Sequence, residues 1–82
     1  MKFKKWKIVF YDPTGHTGWL SEDELYNFVP DECVIEAYVY SKDKKFVITF
    51  ASYTNNKDTD EMEFGDANAI PTACIKSMRK IK

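Results

Sequence analysis

Three stretches of this chain alternate apolar and polar residues with a period of two, a pattern that commits much of the sequence to extended strands. In FKKWKIVFY, residues 3–11, Trp6, Ile8 and Phe10 fall on one side and Lys5, Lys7, Val9 and Tyr11 on the other. Residues 33–41 and 45–53 repeat the pattern on either side of Ser41-Lys42-Asp43-Lys44, which predicts a hairpin. An even-numbered loop there puts Ile35, Ala37 and Val39 on one face with Phe46, Ile48 and Phe50, and that face joins Trp6, Ile8 and Phe10 in the core. The opposite face collects Glu36, Tyr38, Tyr40, Val47, Thr49, Ala51 and Tyr53, with Lys5, Lys7 and Tyr11 from the first strand.

Between the first strand and the hairpin lies YDPTGHTGWLSEDEL, residues 11–25. Asp12-Pro13-Thr14-Gly15 carries the residue preferences of a type I turn, with room for a short strand over residues 16–20. Ser21 followed three residues later by Glu24 is a capping box. Leu20 and Leu25 occupy the positions of a hydrophobic staple, and Glu22, Asp23 and Glu24 place negative charge where the helix dipole favours it. These signals predict a short helix over about residues 22–28, with Leu25, Phe28 and Val29 as its buried stripe and Pro30 as its stop.

Residues 54–66 are a polar loop with a candidate short strand at Glu61–Phe64. In IPTACIKSMRKIK, Cys74, Ile75, Met78 and Ile81 follow helical spacing, with Pro71 in the first turn and basic residues near the carboxyl end. The expectation is a C-terminal helix, with a closing strand as the alternative. The fold class expected is α+β: one small domain over residues 1–82, an antiparallel sheet of three to five strands, and chain order β-α-β-β-(β)-α.

Charge is segregated along the chain. Residues 1–7 and 76–82 hold eight of the twelve basic residues, whereas the middle sets four lysines against all thirteen acids and stands at −9. Terminal strands or helices that met in space would make one basic patch on an acidic body. The lysine-rich amino terminus has an apolar run too short for a signal peptide, and no stretch approaches a membrane span, so the expected location is the cytoplasm. Cys33 and Cys74 are there reduced thiols, separated too widely for a metal-binding pair.

Chemistry-bearing constellations are sparse. His16 is the single histidine and has no partner set for acid–base or metal chemistry. Gly15-His16-Thr17-Gly18 has the GxxG form, but it follows a strand and a turn where backbone-gripping GxxG loops join helices. An EF-hand register starting at Asn56 puts Glu61 at the required glycine and Ala67 at the bidentate glutamate. No catalytic residues, cofactor or metal site are therefore assigned, and a non-enzymatic role is expected. Tyr11, Tyr38, Tyr40 and Tyr53, with Lys5 and Lys7, are the candidate contact residues. They point to a small adaptor or regulatory module that binds an unidentified protein partner or itself, with the acidic loop contributing specificity. The alternative is single-stranded nucleic acid on the same sheet face, since tyrosines beside lysines can stack bases and neutralise phosphates.

Overall fold

The computed structural model describes residues 2–81. Its strands are β1 (Lys5–Asp12), β2 (Asp31–Lys42), β3 (Phe46–Phe50), β4 (Ser52–Asn56), β5 (Glu61–Gly65), β6 (Asn68–Pro71) and β7 (Ile75–Lys80). A five-residue helix, α1 (Glu22–Tyr26), interrupts the β1–β2 connection, and a 3-10 turn (Thr72–Cys74) joins β6 to β7. Five strands make one antiparallel sheet in the order β6-β3-β2-β1-β7, and β4 pairs with β5 in a separate two-stranded arm. The protein is mostly β, which corrects the α+β expectation.

The expected C-terminal helix is strand β7, paired antiparallel with β1. Its misleading periodicity has a local cause. Val9 pairs with Ser77 but Phe10 pairs with Ile75, so Lys76 is an extra residue in the ladder. A strand carrying such a bulge places its inward side chains, Ile75 and Met78, three apart rather than two, which imitates a helix turn. Pro71 lies at the end of β6, on the outer edge of the sheet where a missing N–H costs no ladder bond.

β2 changes partner along its length. Asp31–Tyr38 pair with β1 and Tyr38–Lys42 pair with β3, and the second ladder slips by one residue between Val39 and Ser41. A strand shared in this way, with a bulge at the crossover, turns a corner between two layers. The layers fold toward each other, so that Ile70 of β6 joins Ile8 of β1 and Val47 of β3 in one buried cluster, although two strands separate β6 from β1 in the sheet. Trp6, Phe10, Ile35, Val39, Ile75 and Met78 pack around it.

The same bulge reverses the face expected for β3. Beside the turn the ladder is the expected even-numbered one, with Lys42 opposite Val47 and Ser41 opposite Ile48. Past Tyr40 the parity switches, so Val39 lies opposite Thr49 and Tyr38 opposite Phe50. Val47 and Thr49 therefore face the core, and both are buried, while Phe46, Ile48 and Phe50 share the outer face with Tyr38. The Thr49 hydroxyl has no hydrogen-bond partner among the described residues.

β3 and β6 run on into the arm. Thr49 pairs with Asn68 and Ser52 with Gly65, three residues further along each strand in unbroken register, so β3–β4 and β5–β6 form one long hairpin with a break at residues 50–51 and 66–67. At the break the Ala51 N–H donates to the Gly65 carbonyl (3.2 Å), the Ser52 hydroxyl donates to Asp66 Oδ2 (3.0 Å), and Asp66 takes a left-handed conformation (φ 53°). The molecule spans 57 × 27 × 22 Å. Its radius of gyration is 16.9 Å, against about 12 Å for a compact chain of this size.

The β1–β2 connection also projects. Thr14 Oγ1 donates to the Asp12 carbonyl (3.2 Å) and accepts from the Asp31 N–H (3.0 Å), clamping the two ends of the loop. No strand forms over residues 16–20. The capping box is complete: the Glu24 N–H donates to Ser21 Oγ and the Ser21 N–H donates to Glu24 Oε1, both at 3.1 Å. Yet α1 has no buried residue, and Leu25, Phe28 and Val29, expected as a buried stripe, are exposed. Five residues of helix are too few to reach back over the sheet. Among the described residues, no helix is long and apolar enough to cross a membrane.

Candidate functional site

The outer face of β2 and β3, the base of the arm and the N-terminal segment converge on an aromatic cluster. Phe50 is its centre, at 1% exposure. Its ring lies 4.7 Å from that of Phe64, 5.3 Å from Tyr38 in a stacked arrangement, 5.4 Å from Phe3 edge-on and 6.4 Å from Tyr53. Tyr40 closes the side, 5.5 Å from Phe3 and 5.6 Å from Phe64. Offset and edge-to-face pairs at these separations are the favourable aromatic geometries. Tyr38 and Tyr40 share this side by alternation, and the bulge between them and β3 is what turns Phe50 to the same side.

Tyr40, Tyr53 and Phe64 remain half exposed. Between Tyr40 and Phe64 opens a shallow apolar groove of about 220 Å³, lined by these two with Ile48, Thr49, Phe50 and Ala67. No titratable carboxylate, histidine or cysteine lines it, so it suits an apolar side chain rather than a reacting group.

Of the residues expected at one site, Tyr38, Tyr40 and Tyr53 come together here, and Lys5 sits beside them, directly opposite Tyr38. Lys7 lies one step further along the outer face, between Glu36 on β2 and Arg79 on β7. Tyr11 does not belong to the group. It stands at the far end of β1 opposite Glu32, in a depression shared with Val29, Pro30 and Cys74. Sequence reasoning missed Phe3 and Phe64, and assigned Phe50 to the inner core. Phe64 carried a legible signal, since Met62 and Phe64 alternate with Glu61 and Glu63.

The pairing of β1 with β7 brings the basic termini together. Trp6 lies opposite Lys80 and Lys7 opposite Arg79, and the Ile81 N–H donates to the Lys5 carbonyl (2.9 Å). Lys80 Nζ lies 5.8 Å from the Trp6 ring centroid, within cation–π range. Lys76 bonds Glu32 (3.3 Å), which, first by that hydrogen bond and then by its charge, raises the lysine's pKa; this is the one salt bridge among the described residues. Arg79 and Lys7 are thus like charges directly opposed with no carboxylate in salt-bridge range.

A separate group of acids lies on the arm. Asp58 and Asp60 occupy the arm's turn, Glu61 and Glu63 lie along β5, and Asp66 holds its base. Asn56 organises the tip, accepting at Oδ1 from the Asp58 N–H and donating to Glu63 Oε1. No group of three or more metal-ligating side chains forms among the described residues. His16 makes an edge contact with Phe28 (6.2 Å between centroids) and faces no acid–base partner in hydrogen-bond range. The second exposed apolar region is the projecting loop, where Trp19 is 98% and Tyr26 87% exposed. Comparison with family models, curated proteins and solved structures gives no match to this sequence or to this arrangement of strands.

Proposed function

We propose that the protein is a non-enzymatic protein-interaction module whose contact surface is the aromatic face of β2, β3 and the arm. The observation that carries this reading is the pair of half-exposed rings of Tyr40 and Phe64 on an open apolar groove, with half-exposed Tyr53 packed against Tyr38 and Phe50 beside it. Rings held in place by a buried neighbour lose little entropy on binding, and tyrosine is enriched where partners meet. The apolar tip of the projecting loop supplies a second contact, because exposed groups of large apolar side chains mark interaction sites. The acidic arm adds selectivity by charge.

The test is capture of partners from the native cell lysate, with and without nuclease, by the wild type and by Tyr40→Ser. Tyr40 lies at the rim, so the variant stays folded and loses a discrete, nuclease-resistant partner. Undiminished capture by the folded variant removes the aromatic face from the site. A second reading, binding of single-stranded nucleic acid, is favoured by Lys5 beside Tyr38 and by the opposed Lys7 and Arg79. It predicts oligonucleotide binding that weakens steeply with salt, about one decade per decade of salt for each phosphate neutralised, whereas the protein-contact reading predicts no oligonucleotide binding.

A further inference from the structure

Two of the free strand edges of this molecule, β7 and β5, carry opposite charge. β7 is the last strand of the main sheet, with Lys76, Arg79 and Lys80 along it. The Ile81–Lys5 hydrogen bond fixes the alternation of its backbone groups, so the N–H and C=O of Met78 and Lys80 point away from β1. β5 belongs to the two-stranded arm and leaves its outer side open, with Glu61 and Glu63 along it. Charged edges keep like edges apart: two copies of β7 repel, as do two copies of β5. The unlike pair is attractive.

We propose that the β5 edge of one copy pairs with the β7 edge of a second copy, so that the arm is a self-association device. The side chains fit an antiparallel register. With Met62 opposite Met78, Glu61 falls opposite Arg79, and Asp60 at the arm's turn falls opposite Lys80. That register places Glu61 and Glu63 on the side of Arg79 and Ser77, and places Met62 and Phe64 on the side of Met78. It brings a carboxylate to Arg79, which stands opposite Lys7 and forms no salt bridge among the described residues. It also gives a further partner to an arm of only two paired strands, where a lone two-stranded hairpin is marginal in water.

This inference rests on the interaction-module reading and names a second copy of the chain as the partner. The experiment is sedimentation equilibrium from about 1 to 500 μM protein at low and high salt, because exposed charge pairs are screened as salt rises. The probes are wild type, E61K/E63K, R79E/K80E and an equimolar mixture of the two variants. The wild type self-associates and dissociates in high salt, and each variant alone associates roughly tenfold or more weakly, since like charges now meet. The mixture recovers assembly, as each variant's arm then faces an edge of opposite charge, and that recovery also shows that both variants are folded. A wild type that stays monomeric throughout the low-salt series overturns the proposal, as does association indifferent to either variant or a mixture of folded variants that fails to recover. Capture of a different, Tyr40-dependent partner by a monomeric wild type leaves the module reading standing while this inference falls.

Discussion

Replacing Phe50 with alanine tests whether the outer aromatic cluster is a second core or only a decorated surface. Phe50 is almost wholly buried, with four aromatic rings within 6.4 Å of its own. Truncating a buried phenylalanine costs about 3–5 kcal/mol, from lost transfer energy plus the cavity left behind. A chain of this length is stable by about 4–12 kcal/mol in all, so the loss is a large share of the total. Phe46, on the same outer face of β3 but 47% exposed and stacked on no other ring among the described residues, is the matched control. Burial of about half its surface makes Phe46→Ala worth roughly 1 kcal/mol. Urea unfolding followed by circular dichroism compares the two, and with a slope of roughly 1–1.5 kcal/mol per molar the Phe50→Ala midpoint falls by about 2–5 M. Amide exchange in residues 52–65 of Phe50→Ala should rise above that of the main sheet, because the ring ties the arm to β3. Equal losses for the two variants, or an arm whose exchange does not change, would refute the second-core reasoning.

Other substitutions probe separate links in the chain of cause. Thr49→Val keeps the shape of a fully buried side chain and removes a hydroxyl without a partner, so it should raise stability by about 1 kcal/mol in the same urea assay. A Cβ on Gly65 would stand 2.5 Å from Ser52 Oγ, so Gly65→Ala should destabilise the arm, and the loss should shrink in a Ser52→Ala background; equal losses in both backgrounds would sink this account. Ser21→Ala removes the cap of α1 and should speed amide exchange at residues 22–26 while leaving the urea midpoint unchanged, since nothing packs on that helix. The Ser21 N–H and hydroxyl hold the Glu24 carboxyl below its ordinary pKa, and the N–H groups of Phe46 and then Lys45 do the same for Asp43. A carboxylate depressed in the fold contributes fully above its unfolded pKa and loses that contribution as pH falls through the folded one, so an acid titration by NMR should loosen α1 and the β2–β3 turn before the core.

What the sequence determined by itself is what neighbouring residues decide. The Ser21–Glu24 capping box needs only four consecutive residues and forms as expected, and the extended character of residues 5–12, 31–42 and 46–50 follows from period-two alternation. The strand at Glu61–Gly65 was likewise legible, and so was the segregation of charge. The buried faces of β1 and β2 were legible too, but tertiary structure decided which face β3 buries. One extra residue at Tyr40 moved Phe46, Ile48 and Phe50 out of the core and onto the aromatic face, and one at Lys76 gave β7 the spacing of a helix. A bulge is set by how two partners twist against each other, and the spacing it leaves in one strand does not by itself distinguish it from a helix turn. The meeting of the basic termini, the gathering of Tyr38, Tyr40 and Tyr53 around Phe50, and the separation of Tyr11 from them follow from strand order. Strand order depends on contacts between residues far apart in the chain, and local propensity does not encode it.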